Sequence, residues 1–140
     1  MFDKILLPID GSEHSLKAAD IAIKLAKIDD TEVEILYVFS NVNTRSRVVF
    51  SASDLEKELT EKAEKVIAQG AAKFKEAGVK YTTKTLSGDA ADIICQEAEQ
   101  NGIKVIVMGS RGLNAVSSFV LGSVTNKVLS RAHCPVFISK

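Results

Sequence analysis

The sequence predicts an α/β fold, a single doubly wound five-stranded parallel sheet with helices on both faces and strand order 3-2-1-4-5. Three observations lead there. Short, nearly continuous apolar runs alternate with segments of helical period along the whole chain, in the order βαβαβαβαβ. Strands of that kind, apolar on both sides, belong to parallel sheets covered by helices, and right-handed crossovers wind such a sheet in both directions. No internal repeat, linker or low-complexity segment divides the chain, so residues 1–140 read as one domain.

The first strand is the run Ile5-Leu6-Leu7-Pro8-Ile9, closed by the turn Asp10-Gly11-Ser12, which also supplies a helix cap. From Glu13 to Ile28, apolar residues at Leu16, Ala19, Ile23 and Ala26 follow a helical period. Val33 to Phe39 is a second buried strand. Ser40 to Ala52 is polar apart from Val48-Val49-Phe50, and Ser53-Asp54-Leu55-Glu56 has the capping-box spacing that starts a helix, which Gly78 stops. Val79 to Leu86 alternates with polar residues, as an edge strand does. Gly88-Asp89 opens a third helix that ends at Asn101-Gly102, and Lys104 to Met108 is a fourth, apolar strand. Gly122-Ser123 opens the last helix, and Pro135 to Ser139 is the last strand.

Composition narrows the function. Lys plus Arg (18) equals Asp plus Glu (18), so there is no basic excess to hold nucleic acid or an anionic membrane. No stretch is long and apolar enough to span a bilayer, and Met1-Phe2-Asp3-Lys4 does not read as a signal peptide. Cys95 and Cys134 lie far apart among apolar neighbours, without a CxxC spacing, and read as reduced thiols near the core. His14 and His133 have no partner at metal-ligand spacing and read as exposed or capping residues. The Lys/Glu-rich stretch from Glu56 to Lys65 reads as a solvated helix face. A cytoplasmic protein is expected.

In a doubly wound sheet, ligands bind beyond the carboxyl ends of the strands, where the strand order reverses. The loop after the fourth strand stands out. Gly109 and Gly112 flank Ser110-Arg111, and nine residues separate Gly112 from Gly122-Ser123. Gly109 ends a strand, where a missing side chain lets backbone approach a ligand. Gly122-Ser123 begins a helix, whose unpaired N–H groups and positive dipole end suit phosphate. No acidic residue occurs from Gly109 to Thr125. The spacing is not a Walker loop, which needs a Lys before the hydroxyl residue. Nor is it the dinucleotide fingerprint, which would follow the first strand.

With the opening KILLPIDGSEHS and the ending HCPVFISK, the pattern G-x2-G-x9-G-[ST] resembles the ATP-binding branch of the universal stress protein family over essentially the whole chain. The resemblance implies that Asp10 and the backbone of Val38 hold the adenine edge and that Pro8 lines the pocket. It implies that Met108 and Gly109 lie along the ribose, and that Arg111, Gly112, Gly122, Ser123 and Val124 surround the phosphates. The residues suit these roles, Val38 and Met108 being apolar strand-end residues able to sandwich a base. Without the resemblance, Val38 and Met108 read equally as core and Asp10 as a brace for its turn. Two positions depart from the family pattern. Leu113 to Leu121 lacks the Lys or Arg often found there, and Asn126 stands where members often carry Glu. Neither removes a loop glycine.

The expected ligand is thus ATP, or ADP or AMP. The phosphate loop has no carboxylate or His to act as base or metal ligand, so Mg²⁺ would be held mainly by the phosphates. This favours a nucleotide-dependent stress-response switch with little or no hydrolysis. The alternatives are a slow ATPase or nucleotidyl-transfer enzyme, and a dimeric scaffold that binds no nucleotide. An apolar edge strand is a liability unless paired, and family members commonly pair the strand matching Pro135 to Ser139 across a two-fold axis. A homodimer is therefore expected, with no nucleic-acid or membrane partner.

Overall fold

In the computed structural model, which describes residues 3–39, 52–111 and 121–140, nine elements follow one another. They are β1 (Lys4–Pro8), α1 (Glu13–Asp29), β2 (Glu32–Phe39), α2 (Ala52–Ala77), β3 (Tyr81–Ser87), α3 (Ala90–Gln100), β4 (Val105–Gly109), α4 (Ser123–Arg131) and β5 (Val136–Ser139). The strands form one parallel sheet in the order β3-β2-β1-β4-β5. Fold class and strand order agree with the sequence expectation. Gly112, most of the stretch from Leu113 to Leu121, and Val48-Val49-Phe50 lie outside the described residues.

Alternation along the strands sorts side chains into two cores. Ile5, Leu7, Val33, Ile35, Tyr37, Val105 and Val107 pack against α1 and α2, whose contributions include Ala18, Ala19, Ala22, Ala63 and Phe74. Leu6, Leu36, Ile106 and Met108 pack on the other face against α3 and α4, through Ala91, Ile94, Ala98 and Val128. The alanines on α1 carry almost no bulk, so that helix can lie close to the sheet. Because β1 sits between β2 and β4, the chain leaves it toward one face for α1 and α2 and returns on the other with α3 and α4. The carboxyl ends of β1 and β4 therefore border the switch point.

Caps set the helix starts. Ser12 is the N-cap of α1, and its Oγ accepts from the Ser15 N–H at 3.1 Å. Asp89 caps α3 by accepting from the Asp92 N–H at 3.2 Å. Several boundaries differ from the sequence reading by a residue or two, and at two of them the cause is visible. The second helix already includes Ala52, so Ser53 lies inside it rather than at its cap. The third strand starts at Tyr81, not Val79, because the Val79 N–H still bonds the Phe74 carbonyl at 3.1 Å as the end of α2 unwinds. The edge character of β3 is as expected, since Thr82, Thr83, Lys84 and Thr85 are all exposed.

Candidate functional site

Strand alternation brings three of the expected residues to one face at the sheet's carboxyl edge. Pro8 ends β1 and is buried on the side of Leu6, two residues earlier. Met108 on β4 is 5% exposed, and Val38 on β2 is half-buried, both in the core beneath α3 and α4. Val124, in the first turn of α4, packs on that same core. Pro8, Val38, Met108 and Val124, scattered over the sequence, thus line one apolar corner across β2, β1 and β4. Val38 is open enough to touch a ligand, whereas Met108 serves mainly as core.

Asp10 lies just past β1, partly exposed. Its Oδ1 accepts from the Ser12 N–H at 2.9 Å, an Asx turn that fixes the approach to α1. The bracing role is therefore present, and it fixes the orientation of the carboxylate. Gly11 has φ +89°, a conformation that L side chains rarely adopt, so this turn needs a glycine. Tyr37 stands behind it. Burial, and then the charge of Asp10, push its phenol above the ordinary range, which keeps it neutral.

At Gly109 the structure supplies a packing reason for glycine. A side chain there would meet α1, its Cβ lying 2.7 Å from the His14 carbonyl carbon and 2.8 Å from the His14 oxygen. The glycine is needed so that the first turn of α1 can seat on β4. Ser139, paired with Gly109, directs its Oγ to the same His14 carbonyl at 3.5 Å. His14 is accordingly half-buried rather than a free surface histidine, and its buried Nδ1 has no partner among the described residues.

The start of α4 is built differently from those of α1 and α3. Its N-cap is Gly122, at φ −61° and ψ 155°, and among the described residues no side chain caps the helix. That backbone conformation is open to any residue, so geometry alone does not call for glycine. A glycine cap leaves the first amides of the helix unobstructed by a side chain of their own. Two bonds hold this turn against β4. The Gly122 N–H donates to the Ser110 carbonyl at 2.8 Å, and the buried Thr125 Oγ1 donates to the Gly109 carbonyl at 2.9 Å. Ser123 is exposed at the helix start, and Arg111 is half-buried in the loop after β4. Ser110 is 7% exposed, yet its Oγ has no hydrogen-bond partner among the described residues.

A buried hydroxyl without a partner, next to a helix start without a cap, is a donor set for an oxyanion. Ser110 and Thr125 were absent from the sequence expectation. Ser110 is masked in the sequence by the glycines that flank Ser110-Arg111, and Thr125 by its ordinary place in a helix. Among the described residues no cluster of three or more His, Cys, Asp or Glu side chains could hold a metal ion. Cys95 and Cys134 are free, half-buried thiols, each pushed above the usual thiol range chiefly by burial.

Comparison with known proteins identifies the family. The sequence model of the universal stress protein family matches residues 1–140. The chain belongs to the universal stress protein family. It is 34% identical to universal stress protein YxiE of Bacillus subtilis, covering 99% of both chains. It is 38% identical to universal stress protein MJ0531 of Methanocaldococcus jannaschii, covering all of this chain and 83% of the relative. The solved structure of MJ0577 from the same archaeon superposes with a TM-score of 0.87 at 29% identity, covering 100% of this chain and 96% of that one. Two more distant structures share the fold. A universal stress protein in complex with cAMP has a TM-score of 0.78 at 23% identity, covering 99% of this chain and 97% of its own. A family protein from Arabidopsis thaliana with AMP bound has 0.71 at 21%, covering 96% and 89%.

Proposed function

We propose that this universal stress protein binds an adenine nucleotide, ATP in its working state, at the carboxyl edge of the sheet, and uses occupancy of that site as a switch. The observation that carries the reading is the uncapped start of α4, with Gly122 at its cap and the unpartnered Ser110 hydroxyl nearby. Phosphate oxygens are the natural acceptors for those donors. Arg111 supplies a cation from the loop after β4, Ser123 a further hydroxyl, and Gly112 belongs to the same loop in sequence. The apolar corner of Pro8, Val38, Met108 and Val124 suits a base and sugar, and Asp10 stands where it can accept from an exocyclic amine. The cAMP and AMP complexes of other proteins of this fold support an adenine ligand.

Mg²⁺ accompanying ATP would be held by the phosphates, and turnover would be slow, because residues 109–125 contain no carboxylate or histidine. The protein acts in the cytoplasm as a homodimer. Two free cysteines suit a reducing compartment. β5 is an edge strand carrying Phe137 at 45% exposure, which pairing with a second copy would cover. Mass spectrometry of the denatured, freshly purified protein tests the ligand. Bound adenine nucleotide at near one equivalent is expected. If the folded protein carries none and takes up none at millimolar concentration, the reading is wrong.

A further inference from the structure

Away from the candidate site, two carboxyl groups lie buried together under α3. Glu34 is in the middle of β2, on the face of Leu36, and is 6% exposed; Glu97 comes down from α3 and is 4% exposed. On the sheet side, Lys84 of β3 places its Nζ 2.7 Å from Glu97 Oε1. Lys4 of β1 is the other cation acting on Glu34. Glu32, on the same face of β2, is exposed. One close ammonium thus bonds Glu97 and acts on Glu34 only through its charge, and among the described residues Glu34 Oε2 has no donor. A carboxylate in that position would lose its hydration with no replacement. A proton on Glu34 removes the difficulty, because Glu34 can then donate to Glu97 while Glu97 accepts from Lys84.

We propose that Glu34 and Glu97 share a single proton beneath α3, and that loss of this proton loosens α3 from the sheet, making the helix a proton-controlled latch. The electrostatics agree. Burial first, then the hydrogen bond with Glu97 and the charge of Glu97, push the Glu34 pKa from 4.5 up to about 7, against the opposing pull of Lys84 and Lys4. The bond to Glu97 in turn raises the Lys84 pKa, so that cation stays charged throughout. The sign follows. Glu34 holds its proton more tightly in the folded state, so its contribution is fully present below about pH 4.5 and is lost as pH rises through about 7.

The latch lies away from the carboxyl-edge corner and does not rest on a ligand there.

Carboxyl ¹³C NMR of the intact protein tests the shared proton. The Glu34 carboxyl should titrate near pH 7; an ordinary midpoint near 4.5 would overturn the proposal. Hydrogen exchange of the α3 amides, corrected for intrinsic rates, tests the latch. In the wild type the opening constant should rise by about tenfold per pH unit between roughly pH 5 and 7 and then level off. In Glu34→Gln, which keeps the donor and removes the titration, that rise should vanish. An equal rise in both proteins refutes the latch. If Glu34→Gln does not fold, the wild-type carboxyl titration still decides.

Discussion

Gly109→Ala separates the two reasons a glycine could stand at the end of β4. The added methyl would sit 2.7 Å from the His14 carbonyl carbon and 2.8 Å from its Cβ and oxygen, distances real Cβ atoms essentially never show. The obstacle is backbone, so no side-chain rotation relieves it. Nor can the first turn of α1 shift freely, because the Ser12 cap and the Ser139 contact hold it. Gly109 is not in the left-handed region, so alanine carries no backbone strain of its own. Overpacking of this kind costs about 1–3 kcal/mol. The reduced freedom of the unfolded alanine chain returns about 0.4–1 kcal/mol. A net loss of about 1.3 kcal/mol is expected, which for a chain of this size lowers Tm by roughly 4 °C. Urea unfolding followed by circular dichroism, with no nucleotide present, reads it directly as a lower midpoint at unchanged slope. A variant as stable as the wild type that has lost nucleotide binding would refute the packing account and restore ligand approach as the role of Gly109.

Other substitutions probe the remaining parts. Gly122→Val puts a branched side chain at the start of α4, where any backbone conformation required is already accessible to valine; calorimetric titration should show ATP binding abolished while circular dichroism stays native. Retained affinity would remove the phosphate site from this helix start. The carbonyls of Pro135 and Ser139 accept from the N–H groups of Ile106 in β4 and Ser110 just beyond it, so alternation turns the Val136 N–H toward the open edge. Val136→Pro should therefore give a folded monomer by light scattering where the wild type is a dimer, and a monomeric wild type would contradict the interface. Single-turnover assays with Mg²⁺ should give a rate far below the roughly 1–100 per second of a competent phosphoryl-transfer enzyme. That rate should barely respond to Asp10→Ala at saturating ATP, and rapid release of ADP or AMP would point to an enzyme instead.

The architecture was legible because its signals are local and repeated. Continuous apolar runs, a cap at Ser12 or Asp89, and glycines after helices each mark an element without reference to the others. The site was legible in part. Gly122-Ser123 at a helix start can be read from spacing, whereas the convergence of Pro8, Val38, Met108 and Val124 needs the strand order to become visible. The contact between Gly109 and His14 joins residues far apart in sequence, and nothing in the GSRG segment announces it. Ser110 carries no mark in the sequence, because its interest lies in a missing partner among the described residues, which only packing reveals. Glu34 did leave a trace in the sequence, as a carboxylate inside the run Val33 to Phe39. Its partner Glu97, next to Ala98 on the buried side of α3, becomes recognisable only once that helix is laid on the sheet.

The central claim is that adenine nucleotide phosphates rest on the uncapped start of α4. An ¹⁵N–¹H correlation spectrum recorded as ATP is added tests it most directly, because the donors are backbone amides that report for themselves. The Ser123, Val124 and Thr125 amides should shift downfield and saturate together with the Val38 amide at the opposite side of the corner. A saturating titration in which those helix-start amides do not move, while signals elsewhere do, would contradict the account.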